Sequence, residues 1–368
     1  MPPEFLNNSP GRPDASGQTF YCDGAQPLPN MRVILMGLGV VGKAFLRMLI
    51  EKAPELRSKY GLNPTLVAVS DSRSSVYSEI GLDPKLILDQ KNERGSLAGL
   101  EGETDLRGAD LVREVEAEVL IEMTPSNFRD GEPGLSHIKA ALNTGKHVIT
   151  ANKGPLALEM PALVEMFRES GLMLLFSGTV GGGTPFVRFV RRCLVGERIL
   201  AIRGVLNGTT NYILTMMESG IPFSEALAEA QRLGYAEADP SNDIDGWDSA
   251  AKLVILSNLA MESDATLRDV EVAGIRGVEV GRELLSQGKT VRLIASADGS
   301  GLRVRPEVID RKDPLAVSGA LNAVSFFAEH TGRHTLVGKG AGGEETAAAI
   351  VRDLVELKMS LSGAGQCW

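Results

Sequence analysis

Cysteine is scarce: Cys22, Cys193 and Cys367 are the only three in 368 residues. Their scatter excludes a disulfide framework or a Cys-built zinc site, and reduced thiols point to a reducing compartment. Aromatic residues make up only 5% of the chain, with no clustered platform for stacking RNA bases. Positive charge is also short, because the formal net charge is −9, which argues against nucleic acid as the main partner. No apolar run reaches the ~18 residues of a membrane span. The N-terminus lacks a basic stretch followed by an apolar one, so a secretion signal is not expected and a cytoplasmic location is. What remains is ordinary for a globular protein, 43% hydrophobic and 23% charged, and long enough for two domains.

Residues 1–30 are rich in Pro, Gly, Ser and Asn without hydrophobic periodicity, and read as a disordered extension, with Met31 as a natural start. Folding is expected to begin with MRVILMG, a buried parallel strand. Strands at Val33–Met36, Leu66–Ser70, Val119–Met123, His147–Thr150 and Met173–Phe176 alternate with helical patterns. This alternation implies a doubly wound parallel sheet over 31–176. From 177 to 325 the pattern becomes α+β. Thr184 is expected to cap a helix opened by Pro185, and a long helix is expected from Trp247 to Met261. Residues 326–368 begin in a hairpin and run through a second glycine-rich turn, GKGAGG, into a helix that returns to the first domain.

Gly37-Leu38-Gly39-Val40-Val41-Gly42 follows a strand and opens a helix, as a dinucleotide fingerprint requires. Gly37 allows the tight turn, Gly39 the approach of a pyrophosphate, and Gly42 close helix packing. The N–H groups of Val40 and Val41 then face the phosphates at the helix N-terminus. Asp71, just past the second strand, suits the ribose hydroxyls of NAD, whereas Arg73 suits the 2′-phosphate of NADP, and the two signals conflict. Thr124 and Lys153 end strands at the carboxyl edge where ligands bind.

Residues 233–252 gather Glu237, Asp239, Asp243, Asp245, Asp248 and Lys252 in a turn-rich loop that enters a helix. Asp245 is expected to cap that helix, with Asp248 completing a box. Asp248 and Lys252 lie four apart on one face, which by itself implies no more than a surface ion pair of ~0.3–0.5 kcal/mol. Apolar neighbours at Leu253, Val254 and Leu256 instead place the lysine near a buried seam, where a carboxylate would fix its geometry. Spacing alone leaves the structural and functional readings equal.

These motifs resemble one family, homoserine dehydrogenase, over about residues 31–358. The resemblance is carried by GLGVVG, ANK at Ala151–Lys153, GTVGGGTP at Gly178–Pro185, GVLNGTTNYIL at Gly204–Leu214, LGYAEADP…DIDGWDSAAK, and GAG…TA near Gly340–Ala347. It implies an α/β fold, with a Rossmann-type nucleotide-binding domain and an α+β domain for catalysis and dimerisation. The implied activity is reversible reduction of L-aspartate 4-semialdehyde to L-homoserine with NADPH or NADH. Lys252 then matches the acid–base lysine, and Lys153 a second active-site lysine beside substrate and nicotinamide. Glu237 and Asp248 match carboxylates for the substrate amine, Asp243 a further one, and Thr209 and Tyr235 nearby contacts. Thr124 and Gly340 match cofactor contacts.

Some family members bind Na⁺ or K⁺ through carbonyls matching Val180, Gly182 and Thr184, with a glutamate where this chain has Ser177. A homodimer is expected, and no regulatory ACT or aspartate kinase domain. Aspartate and aspartate-semialdehyde dehydrogenases are rivals; the latter needs a cysteine nucleophile, and Cys193 lies within a predicted helix. A nicotinamide-sensing regulator would carry a DNA-binding element, and none is visible.

Overall fold

The computed structural model describes residues 31–363; the expected N-terminal extension, Cys22 and Cys367 lie outside them. The first sheet is built from β1 (Arg32–Met36), β2 (Thr65–Ser70), β3 (Ser75–Tyr77), β4 (Glu103–Thr104), β5 (Val119–Glu122), β6 (His147–Thr150) and β7 (Leu174–Leu175). Its helices are α1 (Val40–Tyr60), α2 (Pro84–Arg94), α3 (Gly108–Glu114), α4 (Gly134–Asn143) and α5 (Lys153–Glu169). Strand order is β4-β3-β2-β1-β5-β6-β7. The run from β2 to β7 is parallel, while β3 and β4 add an antiparallel edge absent from the sequence expectation.

Both faces of this sheet are covered, which explains its unbroken apolar strands. On β1, Ile34 and Met36 join one core, shared with Leu120 and Val148, while Val33 and Leu35 join another, shared with Val119 and Ile149. The chain reverses its winding between β1 and β5, so the turns after these two strands flank a crevice.

The second half contributes α6 (Phe186–Cys193), β8 (Ile199–Val205), α7 (Gly208–Glu218), α8 (Phe223–Arg232), the short α9 (Ser241–Ile244) and α10 (Trp247–Met261). After these come β9 (Val270–Val272), α11 (Arg282–Ser286), β10 (Lys289–Asp298), β11 (Gly301–Asp310), β12 (Leu321–Ala328) and β13 (Gly332–Lys339). The six strands form a sheet in the order β13-β12-β8-β10-β11-β9, antiparallel except for β9 beside β11. A boundary at 326 would cut β12, whose pairing with β8 and β13 keeps 321–339 in this sheet. The return to the first domain starts at α12 (Gly343–Leu361), where Ala347, Ile350, Leu354 and Leu357 share a core with Phe45 and Leu49 of α1.

α10 is the helix that ties the two halves together. Its residues 249–257 are all buried, and Leu253, Val254, Ile255 and Leu256 belong to the core that also holds Leu156 and Leu163 of α5. A helix apolar on every side sits between layers. It therefore joins the second sheet to the first domain.

Two expected caps are replaced. Thr184 does not cap α6; its hydroxyl donates to the Lys339 carbonyl at 3.1 Å, and Pro185 precedes the helix without a side-chain cap. Asp245 does not cap α10 either. The helix is preceded by Gly246 at φ +93°, and the Asp245 carboxylate turns outward to the Arg276 guanidinium.

Candidate active site

The turn after β1 has the shape its glycines predict. Gly37 holds φ +99°, and a Cβ there would stand 2.6 Å from the Met123 carbonyl carbon and oxygen. A Cβ on Gly39 would meet nothing within 4 Å, so the backbone is open on the side from which a pyrophosphate would approach. α1 has no side-chain cap, which leaves the N–H groups of Val40, Val41 and Gly42 for an anion. Gly42 packs on the Gly37 carbonyl, 2.4 Å from where its Cβ would be. The second glycine-rich turn closes over the same place: a Cβ on Gly343 would lie 2.8 Å from Val40 Cγ1. Gly340 lies so close to the Asn322 amide that a Cβ would fall 2.0 Å from its Cγ. These residues fit a dinucleotide.

Asp71 does not present a carboxylate outward, as a ribose ligand would need. Its side chain is 1% exposed, Oδ1 accepts from the N–H groups of Arg73 and Ser74 at 2.8 Å, and Oδ2 pairs with Lys91 Nζ at 2.7 Å. Burial opposes ionisation, but Lys91 and the two N–H donors outweigh it and hold the carboxyl below its ordinary range. Arg73 is exposed beside it.

The acidic block and two lysines meet where β8, α7 and α10 come together. Lys252 is 5% exposed. Its Nζ donates to the Leu206 carbonyl and to Asp248 Oδ2, each at 2.7 Å. Lys153, at the start of α5, reaches Asp248 Oδ1 at 3.6 Å. Asn207 is the connecting residue. Its Oδ1 caps α7 by accepting the Thr210 N–H at 2.8 Å, while Nδ2 donates to Asp243 Oδ1 at 2.6 Å and Asp248 Oδ2 at 2.9 Å.

The two carboxylates differ in consequence. Burial works against Asp248, yet Lys252, Lys153 and the Asn207 amide bring it down to about 2. Asp243 is pushed up, by burial first and then by the neighbouring Asp248 charge. Two ammonium groups on one fixed anion, with a second carboxylate beside it, can bind an amine and move a proton.

Thr209 and Tyr235 lie at the rim, where the Thr209 hydroxyl donates to the Tyr235 carbonyl at 2.5 Å and the Tyr235 ring packs 5.0 Å from Tyr212. Glu237 is exposed on the loop before α9, and among the described residues nothing joins its carboxylate to the Asp243–Asp248 pair. Thr124 does lie at the carboxyl edge, but its hydroxyl donates to the buried Glu122 and accepts from Asn152 Nδ2 at 3.1 Å. Sequence reasoning misses Asn207, Glu122 and the buried Asn322. Asn207 stands inside the GVLNGTTNYIL motif, directly after a strand, and that position is its signal.

The glycine-rich loop itself brings no charged ligand to a monovalent cation. Val180 is buried and Gly182 has φ +50°, but the Thr184 carbonyl already accepts the Phe186 N–H at 2.9 Å. Ser177 brings no charge, and no cluster of three or more His, Cys, Asp or Glu suited to a metal occurs among the described residues. The carboxylate at Ser177 is that of Asp353 on α12, whose Oδ2 accepts the Ser177 N–H at 2.8 Å while Oδ1 has no protein partner. Burial, with the Glu356 charge nearby, pushes Asp353 up to about 6 against that N–H.

The unfolded carboxyl, near its ordinary 3.8, ionises first as pH rises, so the folded state loses stability between 3.8 and about 6. The loss is about 3 kcal/mol at full extent. Asp353→Asn should therefore raise the urea midpoint at about pH 8 and leave it near wild type at about pH 4. Equal effects at both pH values would contradict this origin.

Residues 37–177 match the homoserine dehydrogenase NAD-binding domain family, and residues 185–355 match the homoserine dehydrogenase family. A homoserine dehydrogenase of Methanocaldococcus jannaschii is 39% identical over 89% of this chain and 98% of its own length. An NAD(+)-dependent homoserine dehydrogenase of Pseudomonas canavaninivorans is 36% identical over 90% and 97%. The crystal structure of a homoserine dehydrogenase assigned in Archaeoglobus fulgidus superposes with a TM-score of 0.82 at 37% identity, covering 89% of this chain and 99% of that one. A hyperthermophilic archaeal homoserine dehydrogenase in complex with NADPH gives 0.80 at 28% identity, covering 90% and 98%. These matches extend over nearly the whole of the described residues and over nearly the full length of the relatives: the chain belongs to the homoserine dehydrogenase family.

Proposed function

We propose that this protein interconverts L-homoserine and L-aspartate 4-semialdehyde, with NAD or NADP as the hydride carrier. The observation that carries the reading is the Lys252–Asp248–Lys153 cluster set beside the glycine-lined crevice. The nicotinamide supplies hydride transfer when bound. The chain's own residues bind the amino-acid end and handle the hydroxyl proton.

Lys252 is the acid–base group of this reading. As a neutral amine it has two N–H bonds, and two acceptors are in place, Leu206 O and Asp248 Oδ2. The lone pair then points in the remaining direction and can take the homoserine hydroxyl proton. In the reverse direction the ammonium returns that proton to the aldehyde oxygen. Glu237 and Asp248 are assigned to the substrate ammonium by charge complementarity, with Asp243 as a further substrate-site carboxylate. Lys153 is assigned to the substrate side of the nicotinamide, with Thr209 and Tyr235 at the pocket mouth. Gly37, Gly39, Val40, Val41, Gly42, Thr124 and Gly340 are assigned to the nucleotide. Arg73, exposed beside the occupied Asp71, is assigned to a 2′-phosphate.

A homodimer through the second sheet belongs to the same reading. Its edge strand β13 has no further strand beside it among the described residues and exposes Val337 at 49%. A cytoplasmic location also belongs to it, consistent with no described helix being long and apolar enough to cross a membrane. Sedimentation would test the dimer.

Lys252→Ala should lower kcat for homoserine oxidation by about 10²- to 10⁴-fold while the nucleotide Kd stays within about threefold. A variant with near-native kcat would remove Lys252 from the proton step. Arg73→Ala should weaken NADPH binding, measured by fluorescence titration, about tenfold more than NADH binding. Equal weakening would show that Arg73 does not read the 2′-phosphate.

A further inference from the structure

β5 reads Val119-Leu120-Ile121 and then ends on Glu122. The glutamate is 0% exposed in the middle of the first sheet, between β1 and β6. A buried carboxylate there costs several kcal/mol of desolvation unless it is fully engaged, and an apolar residue would serve packing better. Glu122 is engaged on both oxygens. Oε2 meets His137 Nδ1 of α4 at 2.6 Å, and His137 is itself 3% exposed. Oε1 accepts from the Thr124 N–H at 2.8 Å, from the Thr124 hydroxyl, and from Asn152 Nδ2 at 3.5 Å.

The contacts continue across the crevice edge. Asn152 Nδ2 also reaches the Thr124 hydroxyl at 3.1 Å and the Pro125 carbonyl at 3.4 Å, and its Oδ1 caps α5 through the Gly154 N–H at 3.0 Å. The Lys153 N–H donates to Ser126 Oγ at 2.9 Å. The space is tight. A Cβ on Gly134 would fall 2.4 Å from Asn152 Nδ2, and one on Gly154 would fall 2.5 Å from the Asn127 carbonyl oxygen. The two βα turns that end in Thr124 and Lys153 are thus tied to each other and to a single carboxylate beneath them.

We propose that Glu122, held from below by His137, is a positioning residue for the dehydrogenase site. It acts through Thr124 and Asn152 to fix where Lys153 stands relative to Asp248. Its kinetic consequences rest on the homoserine–semialdehyde reading of the site, and its structural ones on the hydrogen-bond geometry alone. Glu122→Gln keeps the volume and one acceptor but replaces the carboxylate by an amide, which accepts more weakly from Thr124 and Asn152 and sets an NH2 group against His137, and this loosens both turns. Misplacing a group by a fraction of an ångström at the reacting centre falls on kcat rather than on nucleotide binding.

The experiment measures kcat, KM for homoserine, nucleotide Kd and hydrogen exchange for wild type, Glu122→Gln, Thr124→Val and the double variant, well below each unfolding midpoint. Glu122→Gln should lower kcat about 10- to 100-fold with nucleotide Kd changed less than about threefold. The double variant should be no worse than the more impaired single variant, because both cut one chain of contacts. Exchange should quicken in segments 123–127 and 152–154 and not elsewhere. Native kcat in both single variants, or unchanged protection of these segments, would overturn the proposal. If Glu122→Gln does not fold, hydrogen exchange in Thr124→Val decides, read without kcat because Thr124 is also assigned to the nucleotide. If wild type does not oxidise homoserine, the functional reading fails by itself, and the exchange pattern still decides whether Glu122 holds the turns.

Discussion

Everything in the site depends on one buried ammonium, Lys252, fixed between a backbone carbonyl and a carboxylate. An unpaired lysine within the layers that α10 joins would be expelled or neutralised. Leu206 O and Asp248 Oδ2 satisfy it from two directions, and each is fixed in turn. The Leu206 carbonyl also accepts Asn322 Nδ2 at 2.8 Å, so β8 and β12 hold it in place. Asp248 is kept ionised by Lys252, Lys153 and Asn207. The end of β8, the caps of α7 and α5 and the apolar body of α10 all serve to keep these few atoms in register.

The nucleotide edge follows a similar logic with backbone in place of charge. Close approach of Gly37 to the Met123 carbonyl and of Gly343 to Val40 leaves room for phosphates and none for side chains. The acid that a fingerprint assigns to a ribose is instead absorbed by its own turn and Lys91. A residue at the expected position in the sequence can thus have most of its acceptor capacity taken up locally.

Much of this was legible in the sequence where one physical rule acts alone. Strands buried on both faces show as apolar runs, and His147–Thr150 and Trp247–Met261 coincide with their elements. The i,i+4 pair of Asp248 and Lys252 forms as spacing predicts. The cap at Asp245 fails because Arg276, 31 residues on, offers a stronger partner than a helix N–H. The β10–β11 hairpin is hidden because polar residues interrupt the apolar pattern of β10: Arg292, buried at 1% against Glu218, and the buried Thr290 and Ser296. Glu122 is hidden for the opposite reason: a single acid at the end of an apolar run looks like the first solvent-facing residue. Only tertiary contacts with His137 and Asn152 distinguish the two cases.

Lys252 exchanges a proton with the substrate hydroxyl, in the proposed reaction, from a geometry fixed by Leu206 and Asp248. The pH–rate profile of homoserine oxidation by the wild-type protein tests that step most directly. The amine must be neutral to accept the proton, so kcat/KM should rise as the pH is raised from about 7 to about 10. A flat profile across that range would contradict it.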